Sequence, residues 1–258
     1  GSEIAKQILL TEPKRLILID ISEFNLYKIE KSFQNEEISF PEIKYYLCSV
    51  TDQELLSKII KSENIQVIIH AAAYKHVPII EENIVAGVKN NVLGTNTVVD
   101  AAIHHKIERL VFISTDKAVR PTSVMGASKR MAELIIQNKT GNIDEMETAI
   151  VRFGNVLGSS GSVIPLFKKQ IKNGGPVTLT DPDMTRYFMV IEEAAQLVLL
   201  AGSFGGSAEV YLLDMGKPVK IYDLIHNMLK LEGLSIKDQN NLEGDIEIKV
   251  IDKRKGEK

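Results

Sequence analysis

An adjacent carboxylate and amine, Asp116 and Lys117, follow shortly after the apolar run Leu110–Ile113. This short run, bounded by polar residues, predicts a buried strand that ends just before them. An acid beside a base can protonate a departing hydroxyl while the base removes a proton from the neighbouring carbon, provided that the site moves both pKa values towards neutrality. The alternative interpretation is a surface ion pair between sequence neighbours. The position at a strand end favours acid–base chemistry.

Two further candidate residues lie in the segment that follows the acid–base pair. Met125 and Lys129 are four positions apart in the predicted helix Val124–Asn138, so they lie on one face of it. Thr115, beside the acid–base pair, precedes Met125 by ten residues. A thioether has no useful proton chemistry, so Met125 supplies neither an acid nor a base. The sequence predicts that a hydroxyl, an acid–base pair and a lysine meet at one end of a strand.

Asp20 closes another strand candidate, Arg15–Ile19. A carboxylate there would hydrogen-bond the ribose hydroxyls of a dinucleotide and repel a 2′-phosphate, which favours NAD over NADP. A helix cap or a solvated loop residue is the alternative. The glycine-rich turn that should precede such a residue is absent, except that Gly1 would be its last glycine. The cofactor prediction therefore depends on the other strand ends.

Small residues follow two more predicted strands. They are Ser49 and Val50 after Ile43–Cys48, and Ala71, Ala72 and Ala73 after Val67–His70. The first two could face an adenine ring, and the alanines would let a pyrophosphate and ribose approach the backbone, although close packing would also require small residues. Lys75 and His76 come next, and two cationic or potentially cationic groups after a buried strand predict a ligand contact.

These residues belong to a regular alternation of strands and helices over the first 150 residues. The remaining strand candidate is Ala149–Phe153, and the remaining helix candidates are Phe24–Phe33, Asp52–Ser62 and Asn91–His105. Such alternation predicts right-handed βαβ units and a doubly wound, mostly parallel sheet, in which ligands bind beyond the carboxyl ends of the strands. The predicted fold class is α/β with a smaller mixed α/β lobe, which contains a predicted helix at Val163–Lys172. Residues 1–156 and about 186–203 would form the larger domain, and about 157–185 and 204–258 the smaller.

Composition narrows the functional classes. The 258 residues are 44% hydrophobic and 25% charged, with a net charge of −3, so the chain has no general attraction to nucleic acid or to an anionic membrane. Cys48 is the only cysteine, which excludes a disulfide framework and suits a reducing cytoplasm. No apolar run approaches the ~20 residues of a membrane span, and no metal-ligand spacing occurs. Both ends look cut, so we expect a fragment that lacks the first strand and its glycine turn.

Eight motifs occur in a fixed order along the chain. They are Ser22–Tyr27, His70–Pro78, Asn90–Thr95, Ser114–Pro121, Val124–Lys129, Arg152–Gly158, Thr185–Phe188 and Leu213–Gly216. In these motifs the chain resembles the bacterial UDP-N-acetylglucosamine 4,6-dehydratases of polysaccharide and glycan biosynthesis, in the extended short-chain dehydrogenase/reductase superfamily. The resemblance covers nearly the whole chain and implies a Rossmann-type fold. It also implies a lyase that uses a tightly bound, recycled NAD to oxidise C4, eliminates water across C5 and C6, and returns the hydride to C6.

The resemblance also implies roles for individual residues. Asp116 would be the acid for the 6-hydroxyl, Lys117 the base at C5, and Thr115 a hydrogen-bonding group near O4. The implied cofactor-binding residues are Gly1, Asp20, Ser22, Ser49, Val50, Ala71, Ala72, Ala73, Asn91 and Lys129. The implied residues for the UDP-amino sugar are Lys75, His76, Asn155, Ser160, Ser162, Val163, Arg186 and Arg254. The charged tail that contains Arg254 could equally be a basic interaction segment.

Met125 departs from the family pattern, because it stands where most members have a tyrosine. The group that deprotonates the C4 hydroxyl is therefore open among Lys117, Lys129 and Asp116 acting through water. The same departure occurs in a longer, membrane-anchored branch of the family. By analogy we expect transmembrane helices upstream, which would place this domain on the cytoplasmic face of the inner membrane, and a homo-oligomer. A UDP-sugar epimerase and a non-catalytic nucleotide-binding protein are the alternative functions.

Overall fold

The computed structural model describes residues 1–34, 42–159, 162–204, 206–239, 241–252 and 256. They form two compact units. The larger comprises Gly1–Arg152 and Ala195–Leu213, and the smaller comprises Phe153–Ala194 and Asp214–Glu257.

The helices and strands follow one another as a βα repeat in the first half of the chain. The helices are α1 (Ser2–Leu9), α2 (Glu23–Gln34), α3 (Gln53–Glu63), α4 (Val77–Glu82), α5 (Ile84–Val88), α6 (Gly94–His104), α7 (Val124–Thr140), α8 (Val163–Lys172), α9 (Ile191–Ser203) and α10 (Ile221–Leu231). The strands are β1 (Arg15–Asp20), β2 (Glu42–Leu47), β3 (Val67–His70), β4 (Arg109–Ile113), β5 (Glu147–Arg152), β6 (Asn155–Leu157), β7 (Val177–Leu179), β8 (Thr185–Arg186), β9 (Phe188–Val190), β10 (Ser207–Leu212), β11 (Val219–Lys220), β12 (Ile236–Lys237) and β13 (Ile246–Val250). No described helix combines the length and the apolar character that crossing a bilayer would need.

The strands of the larger unit are parallel, as predicted. β1 pairs with β2, and β3, β4, β5 and β10 form a four-stranded sheet in the order β10-β5-β4-β3. Leu110 and Phe112 of β4 pack with α3, α6 and α7 on one face. Val111, which points to the opposite face, lies against Gly202 of α9, and α1 and α2 cover the corresponding face of β1. Helices on both faces confirm the doubly wound α/β fold class.

Strand β10 lies outside the domain in which the sequence placed it. The predicted boundary assigned residues 204–258 to the smaller lobe, whereas Ser207–Leu212 pairs with β5 and residues 195–213 belong to the larger unit. Residues 153–156 and 186–194, predicted in the larger domain, belong to the smaller unit. Ala208 is buried in the core of the larger unit and Val210 packs against it. The packing of these two residues explains why β10 joins the larger unit. The sequence of a short strand does not indicate which sheet the strand will extend, so the prediction was wrong here.

The smaller unit is a mixed α/β lobe. Its sheets are small: parallel β12-β13-β7, parallel β6-β9 and antiparallel β8-β11. Apolar residues of α8, α10, β7 and β13 form its core, with Phe167, Val177, Ile225 and Leu229 almost completely buried. The predicted helix Val163–Lys172 occurs with the bounds given by the sequence.

Candidate active site

The predicted acid–base pair lies on a short 3₁₀ turn, Asp116–Ala118, directly beyond the carboxyl end of β4. Thr115 caps this turn: its Oγ1 accepts a hydrogen bond from the Lys117 amide at 3.3 Å and donates to Asp116 Oδ1 at 2.9 Å. Lys117 Nζ donates to the same carboxylate oxygen at 3.0 Å. The side chains of Lys117 and Asp116 are 33% and 37% exposed, so the pair is partly covered and still open to a ligand.

Lys129 lies on the inner face of α7 and is only 6% exposed. Its Nζ donates to the Ile113 carbonyl at 2.5 Å and lies 3.9 Å from the centroid of the Phe112 ring. Burial, opposed by the charge of Glu133, lowers the pKa of Lys129 to about 7. The amine can therefore exist in either protonation state near neutral pH. Met125, one turn earlier, is buried at 4% exposure.

His70, the last residue of β3, is a buried polar residue that sequence reasoning did not select. Its Nε2 lies 3.0 Å from Thr95 Oγ1, and its ring centroid lies 5.4 Å from that of Phe112. Burial and then the charge of Lys129 lower the pKa of His70 to about 3. The imidazole is therefore neutral at physiological pH. A histidine that closes an apolar strand is the sequence signal that could have identified it.

Asn91 connects the loop after β3 to α7. It is buried in a π-helical turn, Lys89–Leu93, and its Oδ1 accepts hydrogen bonds from the Tyr74 amide at 2.8 Å and from Asn90 at 3.1 Å. Its Nδ2 donates to the Tyr74 carbonyl at 2.9 Å and to Ser128 Oγ at 3.0 Å. Both Nδ2 hydrogens of Asn91 and both acceptor positions of its Oδ1 are thus occupied by protein groups. Asn91 fixes the loop in which Lys75 and His76 are exposed.

Most of the predicted cofactor residues lie at the carboxyl ends of β1, β2 and β3, whereas Gly1 precedes α1, Asn91 lies in the π-helical turn and Lys129 lies on α7. Asp20 Oδ1 accepts a hydrogen bond from the Ser22 amide at 2.7 Å, and the Asp20 carbonyl accepts one from the Cys48 amide at 3.1 Å, which brings the ends of β1 and β2 together. Ser49 Oγ lies 2.8 Å from Thr51 Oγ1. Among the other cofactor candidates, Val50 and Ala73 are half-buried, whereas Gly1, Ala71 and Ala72 are exposed.

The predicted substrate residues of the second half of the chain lie in the smaller unit. Asn155 begins β6 and donates its amide to the Tyr187 carbonyl at 3.1 Å, and Arg186 lies in β8. Ser162 precedes α8 at its N-cap position and Val163 is the first residue of that helix. Ser162 Oγ is buried without a hydrogen-bond partner among the described residues. Ser160 and Arg254 lie outside the described residues.

A buried carboxylate, Glu133, was also missed by sequence reasoning. It is completely buried on the same face of α7 as Lys129, and it joins the ends of β4 and β5 through hydrogen bonds to Ser114 and Arg152. A glutamate in the middle of a helix ordinarily faces solvent. Its spacing of four residues from Lys129 is the signal that could have placed it on the inner face.

Comparison with known proteins gives consistent matches over the whole chain. The family model described as "Polysaccharide biosynthesis protein" matches residues 1–258. The capsular polysaccharide biosynthesis protein CapD of Staphylococcus aureus is 44% identical over 258 residues, which is 100% of this chain and 42% of CapD. The probable polysaccharide biosynthesis protein EpsC of Bacillus subtilis (strain 168) is 46% identical over 233 residues, 90% of this chain and 39% of EpsC. The chain thus spans about two fifths of the length of these relatives.

A UDP-glucose 4-epimerase of Rickettsia rickettsii (strain Sheila Smith) is 33% identical over 247 residues, 94% of this chain and 69% of the epimerase. Among solved structures, Pen from Bacillus thuringiensis matches with a TM-score of 0.88 at 32% identity, covering 100% of this chain and 76% of Pen. A double mutant of the dTDP-glucose 4,6-dehydratase DesIV from Streptomyces venezuelae, solved with NAD and DAU bound, matches with a TM-score of 0.84 at 21% identity, covering 100% of this chain and 82% of DesIV. This last likeness establishes the fold, which is of the Rossmann type found in dehydratases and epimerases.

Proposed function

The chain belongs to the polysaccharide biosynthesis protein family, and from this premise we propose that it catalyses the NAD-dependent 4,6-dehydration of UDP-N-acetylglucosamine. The product would be a UDP-4-keto-6-deoxy-N-acetylhexosamine. The observation that carries the proposal is the Asp116–Lys117 pair at the carboxyl end of β4, with Thr115 capping the turn. An enzyme that only moves hydride at C4 has no need of this second acid–base pair, whereas elimination across C5 and C6 requires one.

The strand ends of the larger unit fit NAD. The Asp20 carboxylate lies at the carboxyl end of β1, where it suits a ribose diol, and the exposed Ala71 and Ala72 present backbone without bulky side chains at the end of β3. Lys129 would hold the second ribose. When bound, NAD would accept two electrons as C4 is oxidised and return them at C6. The acidic residue at β1 and the small residues at β3 support this cofactor.

The resting ion pair must shift one proton before it can act. In the ion pair, Lys117 is protonated and Asp116 is ionised, whereas elimination needs a neutral amine to remove the C5 proton and a carboxylic acid to protonate the departing 6-hydroxyl. The two groups are 3.0 Å apart, so transfer of one proton from Lys117 to Asp116 produces the active form without a change in net charge. Lys117 then takes the C5 proton, Asp116 gives its proton to O6, and water leaves. As hydride returns to C6, the protonated Lys117 gives a proton back to C5, and the proton taken from the C4 hydroxyl restores Asp116.

The proton of the C4 hydroxyl needs a separate acceptor, because the Met125 thioether cannot take it. Among the three candidates, Lys129 is favoured by its buried amine, whose pKa of about 7 leaves a large neutral fraction at physiological pH. Thr115 would then hydrogen-bond the sugar near O4. In the smaller unit, Asn155, Ser162, Val163 and Arg186 would bind the uridine diphosphate side of the substrate.

The test is incubation of the protein in its full natural length with NAD and UDP-N-acetylglucosamine. We expect a product lighter than the substrate by one water. In deuterium oxide, C5 should acquire one solvent deuterium, and deuterium placed at C4 of the substrate should appear at C6. A substrate of unchanged mass under these conditions would overturn the proposal.

Epimerisation of a UDP-sugar is the second candidate, and the identity to the Rickettsia UDP-glucose 4-epimerase favours it. Such a reaction needs only oxidation and re-reduction at C4. It therefore predicts an isomer of unchanged mass, no solvent deuterium at C5, and little effect of Asp116→Asn.

A further inference from the structure

We infer that one face of α7 fixes the acid–base turn in space, and that Gly126 and Glu133 are the positioning residues that do so. The inference rests on the proposed function, because it assigns their purpose to the chemistry of Asp116 and Lys117. Neither residue would touch the substrate. Both act on the backbone or the neighbours of the turn.

The spacing along α7 places three contacts on one face. Gly126, Lys129 and Glu133 are separated by three and four residues, and all three are buried. Their contacts are distributed over Ile113–Lys117: Glu133 accepts a hydrogen bond from the side chain of Ser114, Lys129 donates to the carbonyl of Ile113, and Gly126 lies against the carbonyl of Lys117. A rigid helix is therefore in contact with both ends of the five-residue segment.

Gly126 acts through its lack of a side chain. A Cβ at this position would lie less than 3.0 Å from the Lys117 carbonyl oxygen and 3.2 Å from Pro121 Cβ. The start of the helix is itself held, because Ser123 Oγ accepts a hydrogen bond from the Gly126 amide at 3.2 Å and Glu81 Oε1 accepts one from the Val124 amide at 2.6 Å. An added methyl group would therefore displace the turn that carries Lys117 before it displaced the helix.

Glu133 acts as an ionised anchor between two strand ends. Its Oε1 accepts from Ser114 Oγ at 2.5 Å and from Arg152 Nε at 2.8 Å, and its Oε2 accepts from Arg152 Nη2 at 2.6 Å and Arg130 Nη1 at 2.9 Å. Burial alone would raise the pKa of Glu133, but the hydrogen bonds from Arg152, Ser114 and Arg130 outweigh it and lower the pKa. The carboxylate thus holds Ser114, the residue immediately before Thr115, against the end of β5.

The first experiment compares two glycine-to-alanine variants of the protein in its full natural length. Gly126→Ala should lower kcat by ~10²-fold, as expected when reacting groups are displaced by about 1 Å, with KM and NAD affinity nearly unchanged. Gly202→Ala is the matched control: its Cβ would lie 2.7 Å from Val111 Cγ2 of strand β4, and the atoms nearest to it all belong to Val111 and not to the turn. It should lower the thermal midpoint and keep kcat. Equal losses of kcat in both variants, or none in Gly126→Ala, would overturn the inference.

The second experiment removes one link at the other end of the segment. Ser114→Ala breaks the hydrogen bond to Glu133 and leaves the bonds to Arg152 and Arg130 intact, so the variant should fold even where Glu133→Gln does not. We expect kcat to fall with KM close to the wild-type value, because the segment that carries Asp116 and Lys117 loses its hydrogen bond to Glu133. A purely structural Ser114 would change the thermal midpoint and leave kcat of the folded protein unaltered, which would count against the inference.

Hydrogen exchange separates this inference from the proposed function. Amides 114–118 should exchange faster in Gly126→Ala and Ser114→Ala than in the wild type, and at the wild-type rate in Gly202→Ala. This readout requires no turnover. A wild-type protein that releases no water would refute the proposed function, while unchanged exchange at these amides would refute the positioning roles.

Discussion

The amino and carboxyl edges, where the parallel strands of the larger unit begin and end, each bury a charged group but compensate it in opposite ways. At the amino edge, Glu63 accepts hydrogen bonds from Arg15 and Lys44, each at 2.9 Å, and from the Tyr46 hydroxyl at 2.5 Å. At the carboxyl edge, the buried Lys129 donates to a carbonyl and faces the Phe112 ring instead of a carboxylate. The charge of Glu63 is thus neutralised at the amino edge, whereas that of Lys129 at the carboxyl edge is under-compensated, although Glu133 at the same edge is paired with Arg152 and Arg130.

The pKa values record this difference. Hydrogen bonds, the one from Tyr46 first, lower the pKa of Glu63, and the hydrogen bond that Arg15 donates to Glu42 raises the pKa of Arg15, so both charges at the amino edge are held firmly. Burial instead lowers the pKa of Lys129 to about 7. Groups that titrate near neutrality can exchange protons with a ligand, whereas locked pairs cannot. The comparison teaches that compensation of a buried charge, more than residue type, decides whether a group is locked, as Glu63 is, or can titrate, as Lys129 can.

Replacing the acid at the reactive edge should have the largest effect. Asp116→Asn removes the proton donor for O6, so kcat for dehydration should fall by ~10²–10⁴-fold, the usual range for acid–base assistance. The thermal midpoint should change little, because the side chain is partly exposed. The measurement is steady-state product formation by mass spectrometry. Asp144→Asn, an exposed aspartate in the turn between α7 and β5 at the amino edge, is the control that should retain wild-type kcat.

Lys129 should make the stability of the protein depend on pH. Its folded-state pKa of about 7 lies below the ordinary value of 10.5, so between these values the unfolded chain binds one proton more. The free energy of unfolding should therefore rise with pH across this window, with a contribution of up to ~1.4 kcal/mol per pH unit. Urea unfolding at a series of pH values should show a flatter dependence in Lys129→Met. The exposed Lys61→Met should keep the wild-type slope, and an unchanged slope in Lys129→Met would show that the amine is not perturbed by burial.

At the locked edge, Glu63→Gln should reduce stability and spare catalysis. The amide cannot satisfy Arg15 and Lys44 together, so the thermal midpoint should fall. Glu42→Gln, which removes a half-exposed partner of the same two cations, should have the smaller effect. Turnover of folded protein should be unaffected in both variants. A loss of kcat at saturating substrate would show that the two edges are coupled after all.

The smallest effect is expected from a pair at the rim of the amino edge. Arg109 and Glu147 begin β4 and β5 and form an ion pair in which both side chains are about a third to a half exposed. Exposed ion pairs typically contribute ~0.2–1 kcal/mol, so Arg109→Gln should shift the urea midpoint only slightly. The shift should shrink further at high salt, where the pair is screened. A salt-independent loss would indicate packing of the Arg109 stem instead.

Local pattern predicted the fold well, and long-range contacts account for what it missed. The strand Val67–His70 and the helix Val163–Lys172 have the predicted bounds, because short apolar runs and helical periodicity depend on neighbouring residues alone. The continuous helix predicted over Asn91–His105 begins instead with a π turn, since Asn91 is bonded to Tyr74 and Ser128 far along the chain.

For the candidate site, residue types at the strand ends identified Asp116 and Lys117 and predicted their position beside a parallel strand. They did not predict that Glu133 turns inward or that His70 is neutral, because both properties come from burial by other elements. Chemical type can be read from sequence, whereas protonation state depends on the folded surroundings.

The contacts of α7 also limit where this protein can gain or lose residues. Each residue advances a helix by about 100°, so one amino acid inserted between Gly126 and Glu133 would turn the carboxylate from the interior towards solvent. It would also leave the Arg152 guanidinium without its partner beneath the sheet edge. Substitutions on the outer surface of α7 should be tolerated. The number of residues between Gly126 and Glu133, however, should be the same in every functional homologue.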